Sequence, residues 1–138
     1  MKKIIVTGCS SGIGFYLAES LSKSDYKVIG LARNEPKEKY NFEFQTCDVR
    51  NLTSVKSFFS KIRREKDVFG LLNVAGVASM NLLATTPEKT IIDIVNTNLI
   101  GTIFCTKEII PAFISSKSGR IINFSSFAVK IGIKGESV

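Results

Sequence analysis

The sequence contains no histidine, and this absence removes several kinds of chemistry at once. A Ser-His-Asp triad, an imidazole general base and the commonest zinc sites all require an imidazole. Cysteine is scarce, and Cys9, Cys47 and Cys105 are widely spaced and odd in number. That pattern suits reduced thiols better than a disulfide framework. No uninterrupted apolar run approaches the length needed to cross a bilayer. After the basic start Met1-Lys2-Lys3, the run Ile4-Ile5-Val6 stops at Thr7-Gly8, too short for the core of a signal peptide. A cytoplasmic protein with no membrane partner is the expectation.

What is present has the balance of a folded globular chain: 138 residues, 44% hydrophobic and 22% charged. That length matches one domain, residues 1–138, with a core of its own. The net charge of +7 raises the question of nucleic acid. The basic residues are scattered, however, and only Lys61-Ile62-Arg63-Arg64-Glu65-Lys66 approaches a cluster. Without a basic groove or an aromatic platform, this reads as a solvated helix face, and no nucleic-acid partner is expected.

Five short β-rich runs alternate with helical patterns, which implies βαβ units and a Rossmann-like α/β fold, a doubly wound parallel sheet with helices on both faces. The expected strands are 3–6, 26–32, 42–47, 68–74 and 120–124. After the first, Ile13, Leu17, Ala18 and Leu21 fall on one helical stripe. Asn51 is a plausible N-cap for a helix in which Leu52, Val55, Phe58, Phe59 and Ile62 form the buried side. Thr86-Pro87-Glu88 opens a long apolar helix to about Ser115, with Pro87 near N1 and an expected kink or break at Pro111. Residues 127–138 have no clear period.

Between the first strand and its helix lies Thr7-Gly8-Cys9-Ser10-Ser11-Gly12-Ile13-Gly14. Open parallel sheets bind nucleotides at this point, at the carboxyl ends of their strands. Gly8 permits the tight turn, Gly12 lets backbone approach a pyrophosphate, and Gly14 lets helix and strand pack closely. The helix N-terminus adds free N–H groups and partial positive charge for the anion. Ser10, Ser11 and Ile13 complete the candidate cradle.

The spacing TGCSSGIG resembles the TGxxxGIG element of the short-chain dehydrogenase/reductase family. Further resemblances follow in family order. Asp48-Val49 looks like the adenine-contacting acidic position, and Asn73-Val74-Ala75-Gly76 looks like the NNAG element with its second Asn replaced. Asn98-Leu99-Ile100-Gly101 is similar to the family's N-x-x-G, whose Asn bears on a proton relay. Gly119 to Ser126 resembles the fifth-strand segment ending in the catalytic serine. The resemblance spans about residues 3–128. Phe69 departs from it, standing where many relatives carry an aspartate that ties down the fourth strand. A nucleotide-sugar epimerase would usually space its glycines as Gly-x-x-Gly-x-x-Gly.

An NAD-selective site usually places an acidic side chain at the end of the second strand. Here Ala32 stands there and Arg33 follows, a guanidinium able to make paired bonds to a 2′-phosphate. The expected cofactor is NADP(H), with NAD(H) the alternative.

The resemblance implies hydride transfer between this cofactor and a small-molecule carbonyl/alcohol substrate. A serine hydrogen-bonds the carbonyl, a tyrosine moves the proton, and a lysine four residues on lowers the tyrosine pKa. Ser126 stands in the serine position, with Ser125 as the alternative, and Asn98 is the second catalytic candidate. The Tyr-x-x-x-Lys would begin at or just past Val138, and none of Tyr16, Tyr26 and Tyr40 has a lysine four residues on. The expectation is therefore the cofactor-binding part of a longer enzyme, the competing reading being a catalytically inactive nucleotide-binding module. In the family the long helix packs on a missing helix and a second subunit, so a homo-oligomer through 88–115 is expected.

Overall fold

The computed structural model describes residues 1–136 and 138. Its centre is a five-stranded parallel sheet in the order β3-β2-β1-β4-β5, built from β1 (Lys2–Thr7), β2 (Tyr26–Ala32), β3 (Glu43–Thr46), β4 (Val68–Asn73) and β5 (Arg120–Asn123). The inner strands are legible as near-continuous apolar runs because both of their faces are covered. Successive side chains point to opposite faces, so Ile5, Ile29, Leu31 and Leu71 enter one core while Ile4, Val6, Val28 and Leu72 enter the other.

The first core is closed by α2 (Leu52–Ile62) and α4 (Gly101–Ser116). Val55, Phe58, Phe59 and Ile62 come from α2, and Cys105, Ile109 and Ala112 from α4. The second is closed by α1 (Gly12–Ser22) through Ala18, with Phe42 beside it. Asn51 caps α2 as expected, its side-chain oxygen accepting the Ser54 N–H at 3.1 Å. Ile13 departs from the expected apolar stripe of α1: it is 64% exposed, because the first turn of α1 faces the cleft rather than the sheet.

The long helical run also differs from expectation in where it bends. α3 (Glu88–Val95) passes into a π-helical turn over Asn96–Ile100 before α4 begins, and α4 continues through Pro111 to Ser116. The irregularity therefore lies at the Asn98 segment, in keeping with the frequent placement of π-turns at functional sites. Pro87 is the N-cap, one position earlier than expected. Taken together, Glu88–Ser116 is long and apolar enough to cross a membrane by length and composition. Its buried Cys105, Ile109 and Ala112 instead pack on the sheet and α2. Ile94 is also buried, leaving Val95, Leu99 and Ile103 exposed.

The chain leaves α4 through Lys117 in the left-handed region, at φ 54°. Residues 127–138, without a period in the sequence, contain a short helix α5 (Ala128–Ile131) and a bridge from Glu136 to Asn81. Phe69, where relatives carry aspartate, lies beneath the Lys2 ammonium, 3.9 Å from the ring centroid. A cation over the ring thus occupies this side of β4.

Candidate functional site

At the carboxyl ends of the strands lies a cleft of about 1030 Å³. Gly8, Ser10, Ser11, Gly12, Ile13, Gly14, Arg33, Asp48, Val49, Ala75, Gly76, Asn98 and Ser126 all line it. They arrive from the ends of all five strands and from the π-turn, so the sheet topology brings together residues up to 118 positions apart.

The glycine-rich turn is shaped by contacts that leave no room for side chains. A Cβ on Gly14 would lie 2.2 Å from the Gly8 carbonyl oxygen, and one on Gly8 would lie 2.7 Å from Ala75 Cα. Gly12 is different: its φ is +57°, yet nothing stands within 4 Å of where its Cβ would be. That space belongs to the cleft. Ser11, the N-cap of α1, makes no side-chain cap hydrogen bond, so the first-turn N–H groups remain open to an anion. An amide-lined turn with open space before Gly12 fits the diphosphate of a dinucleotide.

Thr7, whose residue type alone marks no ligand contact, holds this turn against the end of β4. Its Oγ1 accepts the Val74 and Ala75 N–H groups at 3.0 and 3.1 Å and lies 3.4 Å from the Leu72 carbonyl oxygen, to which the hydroxyl donates. The only advance signal was its place at the head of the glycine motif.

Asn73 does not join the cleft. It is 4% exposed, and its amide donates to Thr106 Oγ1 at 3.1 Å and to Asn123 Oδ1 at 2.8 Å. It ties β4 to β5 and α4. Where the sequence leads one to expect a cofactor contact, the side-chain amide nitrogen is thus engaged within the fold.

Asn98, in the π-turn, accepts the Val77 N–H and donates to the Val77 carbonyl, both at 2.8 Å. Gly101, three residues on, lets the helix approach the loop after β3: a Cβ there would lie 2.7 Å from Val49 Cγ2. The Asn-x-x-Gly spacing therefore clamps the loop after β4 and seats the helix at one stroke. Ser125 and Ser126 both line the cleft, and Ser126 Oγ accepts the Ala128 N–H at 3.1 Å.

Asp48 lines the cleft with its oxygens already engaged. Arg50 donates from Nε to both carboxylate oxygens at 3.0 and 3.2 Å and from Nη2 to Oδ2 at 2.8 Å. The Arg50 guanidinium holds the Asp48 carboxyl below the usual carboxylate range. Its other arm reaches Asp93 of α3 at 3.1 Å. Arg33 makes no ion pair or side-chain hydrogen bond among the described residues. Tyr16, Tyr26 and Tyr40 do not line the cleft.

A family model described as short chain dehydrogenase matches residues 2–138. The chain belongs to the short-chain dehydrogenase family. Among its relatives, the 3-oxoacyl-acyl-carrier-protein reductase FabG of Vibrio cholerae is 31% identical, over 99% of this chain and 59% of its own length. The aldohexose dehydrogenase of Thermoplasma acidophilum, in ligand-free form, superposes with a TM-score of 0.91 at 34% identity, over 99% of this chain and 53% of its own. Actinorhodin polyketide ketoreductase, solved as its F189W variant with NADPH, gives a TM-score of 0.87 at 26% identity, over 99% of this chain and 57% of its own. This short-chain dehydrogenase chain thus spans somewhat more than half the length of these relatives.

Proposed function

We propose that this chain is the NADP(H)-binding portion of an oxidoreductase that interconverts a carbonyl and an alcohol. The carrying observation is that the open Gly12 turn, the unpaired Arg33, Asn98 and Ser126 line one cleft. The bound nicotinamide would supply or accept the hydride. The residues of this chain bind and orient: the first-turn N–H groups of α1 take the diphosphate, Arg33 takes the 2′-phosphate, and Val49, Ala75 and Gly76 wall the cleft. Ser126 would donate to the substrate oxygen, where a positioned donor stabilises the negative charge that develops. Asn98 orders the segment that forms the cleft floor.

The NADP(H) preference rests on Ala32 and Arg33 at the end of β2, where an acidic residue would repel a 2′-phosphate. NADPH bound by the actinorhodin ketoreductase supports it. The relatives named as reductases of oxoacyl and polyketide chains and as a sugar dehydrogenase support a carbonyl/alcohol pair without selecting one substrate. Val95, Leu99 and Ile103, apolar and exposed on one stretch of helix, support a second copy of the chain as partner. Three free, buried cysteines support a reducing compartment.

The test is calorimetric titration with NADPH and NADH. Wild type is expected to favour NADPH, and Arg33→Asp to weaken NADPH selectively; indistinguishable affinities for both nucleotides in both proteins would refute the assignment. The alternative reading is a nucleotide-binding module without turnover. It predicts NADPH binding with no oxidation of the nucleotide in the presence of carbonyl compounds.

A further inference from the structure

We infer that Arg50 is a positioning residue for nucleotide choice, neutralising Asp48 so that Arg33 stays available to the 2′-phosphate of NADP(H). It rests on the reading of the cleft as an NADP(H) site. Arg33, Asp48 and Arg50 line the same cleft, and Arg33 and Asp48 follow neighbouring strand ends, where Ala32 pairs with Thr46 and its carbonyl accepts the Cys47 N–H at 2.9 Å. A carboxylate left free at Asp48 would attract Arg33 across these adjacent strand ends, and a guanidinium paired to a carboxylate is a poor phosphate receptor. Arg50 pre-empts that pairing by taking both Asp48 oxygens with Nε and Nη2.

Arg50 is itself held from two sides. Its backbone N–H donates to Asp48 Oδ1 at 3.0 Å, and Nη1 donates to Asp93 Oδ1 at 3.1 Å. Asp93 is in turn paired with Lys89, one helical turn earlier. Each carboxylate in the chain Asp48, Arg50, Asp93, Lys89 thus has a cation, and the positive charge of Arg33 is left in excess. The side chains of Arg50 and Asp48 are only about a quarter to a third exposed, at 27% and 30%. Charges there are screened less than on open surface. A 2′-phosphate carries between one and two negative charges near neutral pH, so the sign of this corner weighs on NADPH and hardly on NADH.

The experiment is equilibrium titration of the protein and its variants with NADPH and NADH at low and high salt. Arg50→Met keeps the length of the side chain and removes its charge. It is expected to weaken NADPH about tenfold, the scale of one charge a few ångströms away in a partly screened site, while NADH changes less than about threefold. Adding Asp48→Asn to that variant should restore the NADPH preference. Asp93→Asn, on a different element, has the opposite expected sign: NADPH tightens about twofold to threefold and NADH does not. It supplies an independent answer if Arg50→Met does not fold. High salt should shrink these differences.

A wild-type preference for NADPH that survives Arg50→Met, or one unmoved by Asp93→Asn, overturns this role while leaving that of Arg33 standing. Equal loss of both nucleotides in Arg50→Met reduces Arg50 to a tie between β3 and α3. Wild type without NADPH preference removes the reading of Arg33, and this role with it.

Discussion

Asn98 and Val77 exchange hydrogen bonds in both directions, the side-chain amide matching the backbone N–H and carbonyl at 2.8 Å each. Asn98→Ala would strip both partners at once. The expected loss of stability is about 1–3 kcal/mol in urea unfolding, with faster hydrogen exchange at the Val77 amide. Unchanged protection of that amide would show that the clamp does not act in solution. Asn98→Asp keeps the acceptor and should fall between.

Gly14 and Gly12 are expected to respond in opposite ways to the same added methyl. At Gly14 it meets the Gly8 carbonyl group, which cannot yield, so Gly14→Ala should cost about 3 kcal/mol or more. At Gly12 the space is open and only the positive φ opposes it, at about 1–2 kcal/mol. Gly12→Ala should therefore fold and lose affinity for nucleotide. A Gly12→Ala protein that binds NADPH as wild type does would mean that the open space is not the ligand's.

At the end of α4 the left-handed residue is Lys117, although Gly119 is two positions away. Gly119 is needed elsewhere, since a Cβ on it would lie 2.3 Å from the Phe113 ring. Lys117→Gly should raise stability by about 0.5–1 kcal/mol. Gly119→Ala should lower it by about 1–3 kcal/mol. Thermal melts of the two variants shifting the same way would contradict this division of labour.

Burial pushes the Cys9 and Cys105 thiols up to about 12 from an ordinary value of 9.0. Burial raises Cys47 as well, against a hydrogen bond from Ser54. The folded protein keeps protons that the unfolded chain releases, so the stabilisation is complete below about pH 9 and is lost as pH rises toward 12. Each of these two thiols should contribute a slope of up to about 1.4 kcal/mol per pH unit in that window. A thiol reagent at pH 8 should label the native protein slowly and the unfolded chain at all three cysteines. Rapid native labelling would show that the cores open readily.

The fold was legible because the inner strands carry their burial as unbroken apolar runs, as in Ile4-Ile5-Val6 and Leu71-Leu72, and because the glycine turn stands where a parallel sheet needs it. The outer details were not. A period of 3.6 assigns Ile13 to a stripe, but cannot tell that the first turn of α1 overhangs the cleft. Pro111 looked like the point of disruption because it lacks an N–H. The demand that actually distorts the helix is spatial, with Asn98 reaching Val77 and Gly101 resting on Val49. Motif order likewise singles out Asn73 and Asp48, but their partners within the fold, Thr106, Asn123 and Arg50, are set by side-chain direction and by contacts across the chain that no local pattern shows.

The strand order β3-β2-β1-β4-β5 means that the chain winds outward from β1 one way and then returns to wind the other way from β4. The connections leaving β1 and β4 must part, and the gap between them owes its existence to the path of the backbone. Residues decorating that gap, such as Ala78 and Ser79, are consequently free to be exchanged without dismantling either core. A protein built this way can change what it holds while retaining how it folds.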